Sequence, residues 1–204
     1  MAKTEAATRQ QIELKIREKK FYPIYLLMGE EPFYIDKISD AILANALTEE
    51  ERDFNLTIFY GNETTMTDVI LACRRYPVMS ERQVIILREA QALKNKNDIE
   101  LLQYYAEKPQ TSTILVICFK GGTLKSAALT KALGKKLENG ETTGVIFDSK
   151  RIPEYNIGSA ISEYIRSIGC TIEEKAQALL IEYVGNDMSR LAKEIDKLKL
   201  ISPN

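Results

Sequence analysis

The apolar residues of this chain gather in five short runs, at residues 24–28, 56–60, 84–87, 114–119 and 145–147. Short continuous runs, unlike strictly alternating ones, suit strands covered on both faces. Between them, residues 34–47, 66–75, 98–107 and 126–137 predict helices. Asn97 followed by Glu100 predicts a cap with its return acid for the third of these, and Pro109 sits just past its end. Strands alternating with helices predict an α/β fold with a mainly parallel sheet and right-handed crossovers.

The strand signal stops after Pro153. Residues 157–168 predict one helix, and Thr171-Ile-Glu-Glu174 predicts a capping box opening another. Gly185-Asn186 punctuates the chain, and Asn186 or Asp187 can cap a third helix. In that helix Met188, Leu191, Ile195 and Leu198 form one apolar stripe. The expected organisation is an α/β domain over residues 1–149 and a small three-helix domain over residues 150–204. Ser202-Pro203-Asn204 directly follows a helix and reads as a cut at a domain boundary.

Composition then excludes whole classes of chemistry. The 204 residues contain no His, which removes imidazole as base, nucleophile, metal ligand or pH switch. Cys73, Cys118 and Cys170 are far apart and form no C-x-x-C, so a zinc site is not expected and reduced core thiols are. With 28 basic and 29 acidic residues, no overall positive field draws in nucleic acid. The charge is uneven, however: residues 29–70 carry a net −8 and residues 120–151 a net +4. The N-terminus is too polar for a signal peptide, and no apolar run approaches the roughly 20 residues needed to span a bilayer. The expectation is a cytoplasmic chain without a membrane partner.

A nucleotide site would sit where the first strand turns into the first helix. A phosphate loop needs G-x-x-x-x-G-K-[ST], so that backbone N–H groups surround phosphate and Lys meets its terminal oxygens. Here the segment reads Gly29-Glu-Glu-Pro-Phe-Tyr34-Ile35-Asp36, with Tyr, Ile and Asp at the three diagnostic places. Glu30 and Glu31 would repel phosphate at the helix end that should attract it. A magnesium-holding Asp is also missing, since the strand at residues 84–87 is followed by Arg88-Glu89. Gly121-Gly122-Thr-Leu-Lys125-Ser126 imitates the loop's ending, but Phe119 and Leu124 replace its glycines. Paired carboxylates at Glu30/Glu31, Glu49–Glu51 and Glu173/Glu174 fall at helix ends and turns, where solvated charge is the simpler reading. Neither a cofactor nor a metal nor catalysis is expected.

Tyr76-Pro77-Val78-Met79-Ser80-Glu81-Arg82 stands apart. Pro77 ends the preceding helix and fixes a turn. Val78 and Met79 then occupy a loop bracketed by polar residues. On spacing alone they either fold back as a hydrophobic plug or protrude into a partner's apolar pocket.

Four segments together resemble the delta-subunit family of bacterial DNA polymerase III clamp loaders. They are Tyr25-Leu-Leu-Met-Gly-Glu-Glu-Pro-Phe33, Phe54-Asn55, the stretch from Tyr76 to Ile85, and Gly185-Asn-Asp-Met-Ser-Arg-Leu-Ala-Lys-Glu-Ile-Asp-Lys-Leu198. The resemblance implies a degenerate AAA+ module, a three-helix lid, and a C-terminal collar domain beyond this sequence. It implies a non-catalytic subunit that binds the sliding clamp and helps open the ring while other clamp-loader subunits bind ATP, with primed DNA reached indirectly. It also implies that Tyr76, Pro77, Val78, Met79 and Arg82 form the clamp contact. Val78 and Met79 depart from the family's Leu-Phe-like pair in being smaller and lacking an aromatic ring. The competing expectations are an active AAA+ ATPase subunit, or a DNA-binding module using the basic stretch at residues 120–151.

Overall fold

The computed structural model describes residues 6–201, apart from the side chains of Lys96 and Asn97. The chain divides into two compact units between Lys150 and Arg151.

The first unit is built on five strands: β1 (Ile24–Gly29), β2 (Leu56–Tyr60), β3 (Gln83–Arg88), β4 (Thr113–Lys120) and β5 (Gly144–Ser149). They lie in the order β2-β3-β4-β1-β5, and every neighbouring pair is parallel. Successive side chains point to opposite faces, which explains the unbroken apolar runs. One face takes Leu26, Ile85, Leu87, Leu115 and Ile117, packed against α4 (Met66–Cys73), α5 (Leu102–Glu107) and α6 (Ala127–Leu133). The other takes Tyr25, Leu27, Val84, Ile86 and Val116, covered by α1 (Arg9–Arg17) and α2 (Pro32–Ala46). A short α3 (Glu49–Asn55) runs directly into β2. Gly29 pairs beside Lys120, and Tyr60 beside Arg88, so the carboxyl ends of four strands share one edge.

Some local expectations change. Helix α1 has no counterpart among the expected elements: only Ile12 and Ile16 anchor it, and a capping box of Thr8 with Gln11 opens it. The helix expected at residues 98–107 is a 3-10 segment, Lys96–Leu101, followed by α5. Its proposed cap, the Asn97 side chain, lies outside the described residues. Helix α6 ends at Leu133 because the chain turns back beyond Gly134, where Lys136 bridges Thr142 and Thr143 N–H donates to the Lys135 carbonyl. Cys73 and Cys118 are buried thiols, pushed up to about 12 by that burial, whereas Cys170 is only partly covered.

The second unit contains α7 (Ile157–Ser167), α8 (Glu174–Val184) and α9 (Met188–Ile201). Ile161 and Ile165 of α7, and Met188, Leu191 and Ile195 of α9, are buried. Asp187 caps α9, accepting from Arg190 N–H at 3.0 Å. The Thr171 capping box does not form: Glu173 occupies the cap position, without a side-chain bond to the helix. Leu198 lies off the buried stripe and is exposed. Ser202-Pro203-Asn204 lies outside the described residues. No helix among the described residues is long and apolar enough to cross a membrane.

Candidate functional site

Helix α4 begins with a reciprocal cap of Thr65 and Asp68 and buries Met66, Val69, Ala72 and Cys73 against the sheet. Its last carbonyls need partners as the chain leaves the helix. Gln83, the first residue of β3, supplies one: its buried amide donates to the Ala72 carbonyl at 3.3 Å, and also to the Arg75 carbonyl just past the helix at 2.6 Å and to Thr113 Oγ1 at 2.9 Å. Thr113 Oγ1 donates in turn to the Cys73 carbonyl at 2.9 Å. The first residues of β3 and β4 thus fix where α4 stops, and Pro77 prevents it from resuming.

The loop that follows is held from a second side. Asn55, the last residue of α3, is buried, and its side-chain amide faces the Val78 peptide. Val78 N–H donates to Asn55 Oδ1 at 2.7 Å, and Asn55 Nδ2 donates to the Val78 carbonyl at 2.9 Å. Beyond it, Arg82 N–H donates to Ser80 Oγ at 3.4 Å. Arg82 lies 5.2 Å from the centre of the Phe21 ring and pairs with exposed Glu81 at 3.2 Å. On α3, Glu51 is held below the usual carboxylate range, chiefly by Thr48 N–H, then by the Ser80 hydroxyl, with Arg82 adding attraction.

Between these supports the apolar side chains point outward. Met79 is fully exposed, Tyr76 is 79% exposed and Val78 52% exposed. Met79 also adopts a left-handed backbone, with φ of 51°, a conformation that costs a side-chain-bearing residue about 1–2 kcal/mol. The hydrophobic-plug alternative is therefore not the arrangement found. Pro77 is half-buried under the turn. In the sequence, Phe54-Asn55 marks the resemblance only and is not assigned to the loop; Asn55 is the residue that braces it, and the Phe54 ring next to it in sequence is 74% exposed. Local spacing could not assign Asn55 to the loop, since the bonds between them span 23 positions.

The crevice at the carboxyl ends of the strands has different chemistry. The first turn of α2 is capped by Glu31, whose carboxylate accepts from Phe33 N–H at 3.1 Å. Pro32 offers no N–H there. Gly29 has φ of 138°, and a Cβ on it would lie 2.2 Å from the Ser149 carbonyl oxygen. Lys120, at the end of β4, sits between Asp36 at 2.9 Å and Glu89 at 3.1 Å, while Arg88 pairs with Asp40 at 3.3 Å. Glu89 is held low: partial burial raises it, but the bonds from Lys120 and Gln91 outweigh that. A carboxylate at the helix end, and cations already spent on neighbouring acids, do not fit a nucleoside triphosphate with magnesium. In the segment from Gly121 to Ser126, Ser126 caps α6 by accepting from Leu129 N–H at 3.3 Å, and Lys125 is exposed. Of the basic stretch, Lys120 is engaged with these acids and offers no free phosphate contact. Among the described residues no cluster of acidic or thiol side chains could hold a metal.

Residues 25–142 match the family described as DNA polymerase III, delta subunit. The chain belongs to this delta-subunit family. Three of the four resembling segments fall within the match, and the segment from Gly185 to Leu198 lies beyond it. The DNA polymerase III subunit delta of Bacillus subtilis (strain 168) is 24% identical over 199 residues, covering 90% of this chain and 53% of that protein. The solved Bacillus subtilis clamp loader delta protein superposes with a TM-score of 0.72 at 22% identity, over 96% of this chain and 58% of that one. A Thermotoga maritima RuvB variant gives 0.53 at 17% identity, over 93% and 59%. These likenesses establish an AAA+-type fold for the delta-family chain. The chain spans little more than half the length of these relatives.

Proposed function

We propose that this delta-family chain is a non-catalytic subunit of the DNA polymerase III clamp loader and docks on the sliding clamp through residues 76–82. Val78 and Met79 enter an apolar pocket of the clamp, Tyr76 and Pro77 shape the approach, and Arg82 steadies the base of the loop. Docking there helps hold one interface of the ring open, while other clamp-loader subunits bind ATP and the assembly brings in primed DNA. Residues 1–149 act as the AAA+-like module and residues 150–204 as the lid. The chain works in the cytoplasm and neither binds nor hydrolyses nucleotide.

The observation that carries this reading is the outward pair Val78 and Met79 on a loop braced by Asn55 and Gln83. A flexible surface loop would not present two apolar side chains in a fixed geometry, whereas a preorganised contact does. The test is direct titration of the purified chain with the sliding clamp of the same replication machinery. Saturable binding is expected. A folded chain that shows no binding overturns the proposal.

A further inference from the structure

We infer that Asn55 is a positioning residue for this contact: it sets the binding conformation of the loop through the Val78 backbone, without itself touching the clamp. The inference rests on the function proposed above and names a part of the site that the apolar side chains do not reveal.

The geometry is specific. Asn55 is 2% exposed, so a docking partner cannot reach its amide. Its acceptor oxygen takes the Val78 N–H and its amide nitrogen donates to the Val78 carbonyl. One side chain thus satisfies both polar groups of one residue, as an adjacent strand would. Few side chains can do this, because a planar donor and acceptor must lie side by side at this reach. The held residue is the first of the outward pair, and the next, Met79, keeps a left-handed backbone. Released from the bracket, the loop would relax into other conformers, because a left-handed Met is not a local minimum of choice. Apparent affinity would then fall by the fraction of molecules that still hold the binding conformation.

Positioning residues and docking residues leave different kinetic traces. Deleting a side chain that touches the partner speeds dissociation, whereas making the binding conformation rare slows association. The experiment measures association and dissociation rates of the full chain with the sliding clamp for the native protein, Asn55→Leu, Asn55→Asp and the double variant Val78→Ser/Met79→Ser. Amide hydrogen exchange at Val78 and at the sheet residues Ile85 and Val116 is followed in parallel. Leu removes both bonds, and Asp keeps only the acceptor for Val78 N–H.

Asn55→Leu should slow association about tenfold, the worth of roughly one or two net hydrogen bonds. Dissociation should barely change, Val78 exchange should accelerate, and the sheet amides should stay protected. Asn55→Asp, which faces the Val78 carbonyl with a second acceptor in place of a donor, should also slow association, while Val78 N–H keeps its acceptor and its exchange is not the readout for that variant. Should Asn55→Leu also lose sheet protection, the Asp variant decides alone, on its association and dissociation rates with the sheet amides still protected. Native association rates in the folded variants overturn the inference, as does unchanged exchange at Val78 in a folded Asn55→Leu. If the native chain binds and only the double variant fails, the inference falls and the proposed function stands. If the native chain does not bind at all, both fall.

Discussion

Replacing Val78 and Met79 together by Ser removes the apolar tip of the loop and should leave the fold intact. Met79 is fully exposed and Val78 52% exposed, so neither contributes much to the core. Folding stability should shift by no more than about 0.5 kcal/mol, as for other surface changes. The effect on docking follows from the area still open to burial. A fully buried Met is worth about 2 kcal/mol, and the exposed half of Val78 about 1 kcal/mol. The sum, about 3 kcal/mol, corresponds to roughly a hundredfold weaker binding at about 1.4 kcal/mol per tenfold. Titration calorimetry with the sliding clamp reads the affinity, and a urea melt on the same preparation reads the stability. An affinity within about threefold of the native chain, with an unchanged urea midpoint, would refute the contact. A large fall in the midpoint would mean that the pair supports the core, contrary to its exposure.

Three further outcomes probe the crevice and the backbone. ATP with magnesium should leave the melting temperature unchanged, because a ligand that binds only the native state must raise it. A saturable rise, lost in Lys125→Ala, would make the segment from Gly121 to Ser126 a nucleotide site after all. In Lys120→Met, the Glu89 carboxyl should titrate higher, since its burial persists while the pairing ammonium is gone. Its depressed native pKa stabilises the fold above the unfolded value of about 4.5 and ceases to do so as pH falls through the native one. The native chain's advantage over Lys120→Met, about 1 kcal/mol for these half-exposed pairs, should therefore shrink below that pH in acid denaturation series. Gly29→Ala should lower stability by about 3 kcal/mol through backbone overlap and strain, whereas Gly140→Ala, with nothing near its Cβ, should cost about 1 kcal/mol. Equal denaturant midpoints for the two variants would contradict that ranking.

The sheet was legible because β1, β3, β4 and β5 are buried on both faces, which turns each into a continuous apolar run; the edge strand β2 is only half-covered, contrary to the expectation, with Ile58 and Tyr60 exposed. Helix α1 was not legible, because two isoleucines suffice to anchor an otherwise polar segment. Helix α3 hid for a stronger reason: its sequence EEERDFN has no apolar face, and its start is set by the Thr48–Glu51 cap. The same pattern misled at Thr171, where Thr and Glu stand three apart and the cap bonds do not form. The helix still begins at Glu174, so the spacing marked the start, but the Thr acts as the cap only where the chain's path places it at the cap position, as Thr48 is placed. That path is set by packing far along the chain.

The loop was legible for the opposite reason. Pro77 and the two apolar residues after it are local signals, and they mark the proposed contact without tertiary knowledge. What holds the loop is not local: Asn55, Gln83 and Thr113 come from three other elements. Strand β3 joins the two regions of interest, with the loop entering at Gln83 and Arg88 standing at the crevice. Six residues of strand separate them by roughly 17 Å, at about 3.3 Å per residue. Nucleotides in open α/β sheets bind at the carboxyl edge, which here is the edge of Lys120, Arg88 and Glu31. The loop lies at the amino edge, and its supports draw on no residue of the crevice network. Substituting Lys120 or Arg88 removes no bond that holds the loop, so a crevice that does not fit a nucleoside triphosphate at one edge is compatible with the proposed docking element at the other.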